Sequence, residues 1–404
     1  MVDDDIARAG RTADTGRTLE LMRQQMERIA RRPFIGGNAV ELLRNGPQTY
    51  AAMTAAIKAA TRRIDRESYT FDTAEGGTFA ELLLAKRAQG LDVNLIYDAW
   101  GSLGASPALF ERLRQGGVRV LEVHPLGPVH ALDFNRRDHR KLLVIDASVV
   151  IMGGVNISEV YENRRDPTGR TGGPNTLPWR DTDVRIEGPA AADFERTFLS
   201  TWQRQKGGAI ADPPPTPAAR HGDAWVLAVA GDPNNQRPLI YRTLLVAITL
   251  ARSSIRLTTG FFAPPPDLLH ALERAARRGV DVRIIVPAHS ASALAIAAGR
   301  ADYEDLMEAG VHIFERQDVV LHAKTAVIDG AWSAVGSSNL DWRSVIFNDE
   351  SDALIPDTAF AQKMESMFAG DVAASREINA RQWARRPLAE RLDEWWAKLV
   401  QMFL

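Results

Sequence analysis

The pattern His-x-Lys-x-x-x-x-Asp occurs twice in the sequence. The two copies share residue types and spacing and consist of His139, Lys141, Asp146, His322, Lys324 and Asp329. Both lie in β-branched, apolar runs (LLVID and TAVID), which predicts that they form buried strands. Side chains alternate along a strand, so the His and Lys of each copy share one face and the Asp points to the other. We therefore expect both aspartates to anchor the strands more than to react.

Two histidines and two lysines are suited to the transfer of a phosphodiester. One neutral imidazole can attack phosphorus and form a covalent phosphohistidine. A second, protonated imidazole can give a proton to the departing alkoxide and later take one from the incoming alcohol. The lysines can stabilise the charge that builds on the phosphoryl oxygens, so this chemistry needs no metal or other cofactor. Neither half of the chain holds the whole set, which predicts one site between two halves related by a pseudo-twofold axis.

Glycine and asparagine follow each copy at the same distance, in Gly153-Gly154-x-Asn156 and in Gly336-Ser337-Ser338-Asn339. Small residues let the backbone come close to a ligand, and an asparagine amide can donate to a phosphoryl oxygen. The side chains expected to bind the phosphate are therefore Asn156, Asn339, Lys141 and Lys324.

A histidine that acts in this way needs a carboxylate behind its other ring nitrogen. The segment Asp181-Thr182-Asp183 aligns with Glu350-Ser351-Asp352. This alignment nominates Asp181 and Glu350 as the carboxylates that orient the histidines. The alternative is that both are surface carboxylates at strand ends.

The motifs belong to an internal repeat that predicts a duplicated α/β fold. Residues 139–158 align with 322–341 at an offset of 183, with 7 identities in 20 positions. Upstream, GLDVNLIYD at 90–98 matches GVDVRIIVP at 279–287, and each follows a helical pattern that ends in glycine. Each half is therefore expected to run helix, strand, helix, strand and then the motif strand.

Residues 211–223 (ADPPPTPAARHGD) are rich in proline, which is typical of a semi-rigid linker. We accordingly expect an N-terminal amphipathic segment at 1–35, a first domain at 36–210 and a second domain at 224–404. Residues 163–178 are rich in Gly, Pro, Arg and Thr. They form either a surface excursion or a loop that borders the substrate entrance.

Composition narrows the functional classes. The 404 residues include 49 basic and 51 acidic side chains, a balance that argues against a protein that coats nucleic acid. The lack of cysteine excludes disulfides, thiolate metal sites and cysteine nucleophiles. The other histidines show no metal-ligand spacing, so no structural metal is expected, and His130 either borders the site or lies in an ordinary loop.

There is no secretory signal and no apolar run long enough to span a bilayer, which predicts a cytoplasmic protein with at most peripheral membrane contact.

These residues resemble the phospholipase D superfamily, and most closely bacterial cardiolipin synthases. The doubled motif carries the first resemblance, and three stretches carry the second: VELLRNGPQTYAAMTAAIKAA, WRDTDVRIEGPA and LHAKTAVIDGAWSAVGSSNLDWRSVIFNDES. Asp183 stands where many similar sequences carry a histidine, and Asp349 where an aromatic residue is common. Many members begin with two membrane-spanning helices, whereas this chain resembles the shorter synthases without them.

The resemblance implies two α/β/α domains with mixed β-sheets and one active site at their interface. It also implies phosphatidyl transfer, with His139 as nucleophile and His322 as acid/base. The simplest reaction joins two phosphatidylglycerols into cardiolipin and releases glycerol, and phosphatidylethanolamine is an alternative lipid substrate. A hydrolytic phospholipase D, or less readily a nuclease, would use the same residues, because pocket shape and dryness choose the acceptor. Two complete motifs oppose the further alternative of a membrane scaffold with an inactive site.

Two amphipathic segments could bring the chain to lipid. Residues 17–32 carry Leu19, Met22, Met26 and Ile29 at helical spacing, with five arginines against two glutamates. The C-terminal run from Trp383 places leucine and tryptophan among arginines. Each segment either lies on anionic lipid at the cytoplasmic face of the cell membrane or packs on the protein itself or a dimer partner.

Overall fold

The computed structural model describes residues 2–126, 135–162, 177–210, 219–231, 239–290 and 292–400. His130, most of the 163–178 stretch and the proline-rich part of the expected linker lie outside the described residues. In the described part of the chain, no helix is long and apolar enough to cross a bilayer.

The helices and strands alternate along most of the chain. The helices are α1 (Val2–Ala30), α2 (Asn45–Ala59), α3 (Thr73–Ala88), α4 (Pro107–Gln115), α5 (Ala191–Arg204), α6 (Leu239–Leu250), α7 (Pro266–Arg277), α8 (Ala293–Arg300), α9 (Tyr303–Glu308), α10 (Trp342–Ile346), α11 (Thr358–Ala373), α12 (Ala380–Trp383) and α13 (Leu388–Val400). The strands are β1 (Ile35–Arg44), β2 (Arg63–Ser68), β3 (Asp92–Asp98), β4 (Arg119–Val123), β5 (Arg137–Asp138), β6 (Lys141–Ile145), β7 (Val149–Gly153), β8 (Trp179–Arg180), β9 (Thr182–Glu187), β10 (Ala224–Gly231), β11 (Ser254–Thr258), β12 (Phe262–Ala263), β13 (Asp281–Pro287), β14 (His312–Arg316), β15 (Val320–Leu321), β16 (Thr325–Ile328), β17 (Trp332–Gly336), β18 (Leu340–Asp341), β19 (Asn348–Ile355) and β20 (Ser375–Glu377).

The two halves build their sheets in the same order. The first half runs β4-β3-β2-β6-β7-β9-β1, and the second runs β14-β13-β11-β16-β17-β19-β10. In both, the first three strands of this order are parallel and the following strands antiparallel. In the second half, β20 adds an antiparallel strand at the outer edge of β14. Antiparallel pairing of β1 with β10 joins the halves into one continuous sheet. The expectation of a duplicated α/β fold with mixed sheets is therefore confirmed.

A shared hydrophobic core holds the halves together. Val144 and Phe198 of the first half pack in one buried cluster with Val335 and Met364 of the second. Full burial of a large apolar side chain contributes about 1.5–3 kcal/mol, so separating the halves would expose a strongly stabilising surface. Each half also has a core of its own, which α2, α3 and α4 cover in the first half and α1, α6, α7 and α9 cover in the second.

The N-terminal helix uses its apolar side inside the protein. Met22 and Met26 are fully buried in the outer core of the second half, and Leu19 packs against the same cluster. Of the two interpretations of residues 17–32, packing on the protein's own core is the one that the structure shows. This apolar face is not available to a bilayer.

Both motifs lie at the start of a β-hairpin, with one difference from the expectation. His139 and His322 are not strand residues, because each lies in the short irregular link that precedes β6 or β16. The link is irregular because the histidines leave the main sheet to face the other half. The buried strand begins at Lys141 in the first copy and at Thr325, directly after Lys324, in the second.

The two motif aspartates anchor the end of a helix to the sheet. Asp146 accepts hydrogen bonds of 2.7–2.8 Å from the backbone N–H groups of Thr61, Arg62 and Arg63. Asp329 accepts equivalent bonds from residues 252–254. Both aspartates have left-handed backbones, with φ of 52° and 53°. Their carboxylates fix the turn between helix and strand.

Removal of either carboxylate should therefore lower the stability of the fold more than it lowers the rate of the reaction. Asp146→Ala and Asp329→Ala should each lower the free energy of unfolding by about 2–4 kcal/mol, because several hydrogen bonds to a charged acceptor are lost. Denaturant unfolding measures this change. Asp318→Ala, which removes only an exposed partner of Arg316, is the control and should shift it by less than about 1 kcal/mol. Unchanged stability together with a complete loss of activity in the folded variants would contradict the anchoring role.

Candidate active site

Two short ladders between the halves position the histidines. Strand β5 pairs in parallel with the start of β19, and the His139 N–H then donates to the Asp349 carbonyl at 2.9 Å. Strand β15 pairs in parallel with β8, and the His322 N–H donates to the Arg180 carbonyl at 2.8 Å. Each ladder ends where a histidine of one half meets a carboxylate of the other.

The histidine–carboxylate pairs cross between the halves. The Nδ1 atom of His139 lies 3.1 Å from both carboxylate oxygens of Glu350. The Nδ1 atom of His322 lies 2.7 Å from Asp181 Oδ2. A carboxylate at Nδ1 fixes the tautomer and leaves Nε2 for chemistry. All four residues are at least nine-tenths buried, so the alternative of surface carboxylates at strand ends is wrong.

The two imidazoles face one common space. Their ring centroids are 6.2 Å apart, and the rings are inclined by 74°. This separation places both rings in contact range of a phosphoryl group between them. The Nζ atoms of Lys141 and Lys324 donate to the carbonyl oxygens of His139 and His322, so each lysine is tied to its own motif.

Hydroxyl groups and backbone support the carboxylates. Glu350 accepts hydrogen bonds from Ser337 Oγ and, at 2.8 Å, from Ser344 Oγ. Asp181 accepts from the backbone N–H of Thr182 at 2.8 Å. These bonds hold the carboxylates in the orientation that the histidines require.

The small residues that follow each motif at the same distance have a different cause from the one expected. A Cβ atom on Gly154 would lie 2.0 Å from Asp181 Oδ1, and one on Gly153 would lie 2.3 Å from Asp183 Oδ1. On Gly336, a Cβ would overlap the carboxylate of Asp352. These glycines therefore make room for the carboxylates of the neighbouring strand.

The predicted phosphate-binding asparagines differ from each other. The Asn156 amide donates to Tyr161 Oη at 3.1 Å, and its carbonyl accepts from the Thr70 N–H at 3.0 Å. Asn339 is also buried, but its Oδ1 atom has no hydrogen-bond partner among the described residues. Both polar groups of the Asn156 side chain are thus hydrogen-bonded within the protein. By contrast, Asn339 Oδ1 lies beside Lys324 without a hydrogen-bond partner among the described residues.

Burial sets the protonation of the site. Removal from water lowers the pKa of Lys141 to about 7 and that of Lys324 to about 8. Burial and the two lysines also lower the pKa of His139 well below its usual value, and burial beside Lys324 lowers that of His322 to about 3. Both imidazoles are therefore neutral at pH 7.

The two orienting carboxylates are not equivalent. Burial raises the pKa of Glu350, although Lys141 and the serine hydroxyls oppose this. Burial also acts on Asp181, but the opposing effects of His322 and Lys324 prevail and lower its pKa. An ionised Asp181 favours a proton on the ring that it touches, which is that of His322.

Several side chains that the sequence argument did not single out contact the histidines or join the halves. Tyr69 packs edge-on to His139 with centroids 5.2 Å apart, and Tyr161 Oη lies 3.2 Å from His322 Nδ1. Arg140, fully buried, donates to the carbonyl of Glu350 at 3.0 Å. Arg180 forms an ion pair with Asp371 at 2.6 Å across the same interface. The position of Arg140 between His139 and Lys141 is the one feature of the sequence that could have singled it out. Its partners could not be predicted, because they depend on how the two halves are aligned.

The two residues that depart from the family pattern have structural contacts. The Asp183 carboxylate accepts from the Val155 N–H at 3.0 Å, and burial raises its pKa to about 7. Asp349 accepts from Arg204 at 2.8 Å. Within the part of the chain that the structure describes, no group of three or more His, Asp or Glu side chains is arranged to hold a metal ion.

The lysine pKa values predict how activity depends on pH. Phosphate binding requires the charged ammonium, and a lysine with a lowered pKa loses this charge as the pH rises through that value. One unit above its pKa, a lysine retains only about a tenth of its charge, so kcat/KM should fall at least about tenfold between pH 7 and pH 9. A pH profile with phospholipid in detergent micelles measures this fall. Lys363→Ala, which removes an exposed lysine of α11, should leave the profile unchanged. A kcat/KM that stays flat across this interval would contradict the assignment of Lys141 and Lys324.

Comparison with known proteins agrees with this geometry. A protein-family profile described as cardiolipin synthase, PLD-like domain, matches residues 53–165 and 244–372, one segment in each half. The cardiolipin synthase of Geobacillus thermodenitrificans is 32% identical over 382 residues, which cover 93% of this chain and 74% of that protein. Cardiolipin synthase A of Serratia proteamaculans is 31% identical over 370 residues, which cover 89% of this chain and 74% of that protein.

A solved structure shares the fold at low sequence identity. The phosphatidylserine synthase of Haemophilus influenzae superposes with a TM-score of 0.68 at 15% identity, and the match covers 94% of this chain and 99% of that one. The profile match and the two relatives establish the family. The chain therefore belongs to the cardiolipin synthase family of phospholipase D-like phosphatidyltransferases.

Proposed function

We propose that this protein transfers a phosphatidyl group from one phosphatidylglycerol to the hydroxyl of another, giving cardiolipin and glycerol. The observation that carries the proposal is the pair of imidazoles 6.2 Å apart, each backed by a carboxylate of the other half. Such a site can hold a phosphodiester between a nucleophile and an acid/base. The resemblance to cardiolipin synthases favours a lipid alcohol over water as acceptor.

The reaction proceeds in two displacements. In the first, Nε2 of His139 forms a bond to phosphorus, the bond from phosphorus to the glycerol headgroup oxygen breaks, and His322 gives that oxygen a proton. In the second, His322 takes the proton from the hydroxyl of a second phosphatidylglycerol, whose oxygen bonds to phosphorus while the P–N bond breaks. Lys141 and Lys324 stabilise the charge on the phosphoryl oxygens in both steps.

The unequal carboxylates support this division of roles. Both imidazoles are neutral at pH 7, which is the form of His139 that attacks phosphorus. His322 contacts the ionised Asp181, which stabilises the imidazolium that an acid needs. The negative charge of an incoming phosphodiester also raises the pKa of His322 towards the value that proton donation requires.

A substrate with an activated leaving group separates the two histidines. Phosphatidyl-p-nitrophenol releases a stable phenolate and needs no proton from His322. His322→Ala should therefore release one equivalent of p-nitrophenolate per site and accumulate phosphohistidine at residue 139, whereas His139→Ala should release none. Rapid-quench kinetics and peptide mass spectrometry measure both results. A burst in His139→Ala, with phosphate on residue 322, would reverse the assignment.

The natural reaction is tested with phosphatidylglycerol vesicles and lipid mass spectrometry. Wild-type protein should form cardiolipin and an equal amount of glycerol, and both single histidine variants should lose at least about 10³-fold in kcat. Phosphatidic acid as the main product would show that water is the acceptor and would overturn the proposal. Addition of phosphatidylethanolamine to the vesicles determines whether a second headgroup is used.

We also propose that α13 brings the protein to the cytoplasmic face of the cell membrane. One side of this helix is anchored, because Ala397 is buried against α8 and Glu394 forms an ion pair with Arg386 at 2.9 Å. The other side exposes five large apolar residues whose exposed fractions lie between 56% and 75%. They are Leu388, Leu392, Trp395, Trp396 and Leu399.

An anionic bilayer is the partner that fits this surface. Tryptophan is favoured at the boundary between headgroups and acyl chains, and exposed arginines are attracted to anionic lipid. Arg381 and Arg385 are exposed in the segment that leads into α13. The proposed substrate is itself a component of such a bilayer, so docking places the site close to its lipid.

Trp396→Glu should weaken binding to phosphatidylglycerol vesicles at least about tenfold, because a charge replaces an aromatic anchor. Vesicle sedimentation measures the bound fraction. Trp225→Glu, which makes the same change at a half-exposed tryptophan on β10, is the matched control and should bind as wild type does. Equal binding of all three proteins would exclude α13 as the docking surface.

A further inference from the structure

A cavity of about 310 Å³ opens beside the catalytic cluster in the second half. Lys324, Asn339 and Ser344 contribute to its wall, so it adjoins the site. Most of its remaining wall is apolar and includes Ile240, Leu244, Leu257, Leu268 and Leu354. An apolar cavity next to a phosphate-binding cluster has the two environments that a phospholipid combines.

The first half fills the corresponding space with tyrosine. Tyr161 of the first half corresponds to Ser344 of the second at the offset of the motif repeat. Tyr161 is fully buried and packs against Trp179 with ring centroids 4.9 Å apart. A serine in its place leaves out the whole aromatic ring.

A second tyrosine occurs at equivalent positions in both halves, but its hydroxyl forms hydrogen bonds in only one of them. The anchoring bonds to Asp146 and Asp329 align residues 61–63 with 252–254, which makes Tyr50 and Tyr241 equivalent. Tyr50 Oη donates to the carbonyl oxygens of Asn156 and Ser158 at 2.7 and 2.8 Å. Tyr241 lines the cavity, and its hydroxyl has no hydrogen-bond partner among the described residues.

The same asymmetry continues at the histidines. Tyr69 covers Lys141, whose Nζ lies 5.2 Å from the ring centroid, and the equivalent position in the second half is Gly260. A Cβ at Gly260 would lie 3.2 Å from Lys324 Nζ and 3.3 Å from Asn339 Oδ1. Because residue 260 has no side chain, nothing covers these two polar groups from that position. At these positions, the space that side chains fill in the first half is free in the second half.

We propose that this cavity binds one acyl chain of the phospholipid whose phosphate lies against Lys324. The inference rests on the proposed phospholipid chemistry and adds that the two sides of the site are unequal. The apolar wall removes the chain from water, which is favourable, while the Lys324 ammonium donates to the phosphate. In the described part of the first half, the rings of Tyr69 and Tyr161 stand where the second half has only glycine and serine.

Photo-crosslinking tests the location of the chain without relying on turnover. The probe is a phosphatidylglycerol that carries a diazirine in the middle of one acyl chain, presented to wild-type protein in micelles. We expect label on peptides from residues 239–257 and 332–346. A free fatty acid with the same diazirine is the control and should label these peptides much less, because it lacks the phosphodiester. Equal labelling by the fatty acid, or label confined to other parts of the chain, would overturn the proposal.

A cavity-filling variant tests the consequence for catalysis. Ala334 lines the cavity on β17, and Ala334→Phe should lower kcat/KM for a long-chain phosphatidylglycerol about tenfold while leaving a dibutyryl analogue unaffected. Ala55→Phe, an exposed position on α2, is the control. Equal loss for both lipids, or no loss for either, would contradict the proposal. If wild-type protein made no cardiolipin, the proposed function would fail, whereas the crosslinking result would still decide whether the cavity holds a lipid chain.

Discussion

The crossed pairs His139–Glu350 and His322–Asp181 are the constraint on which the rest of the structure depends. Each half supplies a histidine to one pair and a carboxylate to the other, so neither half contains an oriented imidazole alone. The halves must therefore be fixed to within the tolerance of a hydrogen bond. The ladders β5–β19 and β8–β15 set the register, and the shared hydrophobic core together with the continuous sheet through β1 and β10 keeps it.

This arrangement places several charges in a site that excludes water. Buried ions are destabilising unless partners compensate for lost hydration, and here the lysines face the carboxylates across the two motifs. The compensation is incomplete, because the pKa values of Lys141 and Lys324 remain lowered. A phosphodiester anion supplies the missing negative charge. The buried lysines are thus already arranged for the ligand, and little reorganisation is needed when charge develops in the reaction.

The internal repeat predicted the duplicated fold and brought together the residues of the site, because each polar motif residue recurs at a fixed distance. The repeat could not show which carboxylate meets which histidine, since this depends on pairing between strands far apart in sequence. It also could not show why Gly153 and Gly154 are small, because the cause is the carboxylates of Asp183 on β9 and of Asp181 directly before it. The position of α1 was left open for a similar reason, since an amphipathic pattern does not specify what covers its apolar face. Symmetry concealed the difference between Tyr161 and Ser344, which becomes visible only when both environments are compared.

Nuclear magnetic resonance of the imidazole protons tests the crossed pairing most directly. With ¹⁵N-labelled histidine, the wild-type protein should show two low-field Nδ1–H signals, which His139→Gln and His322→Gln assign individually. Asp181→Asn should remove or strongly shift the signal of His322 and leave that of His139 in place, and Glu350→Gln should do the reverse. If Asp181→Asn instead removed the signal of His139, or if neither variant affected either signal, the central claim of one site built from crossed halves would be contradicted.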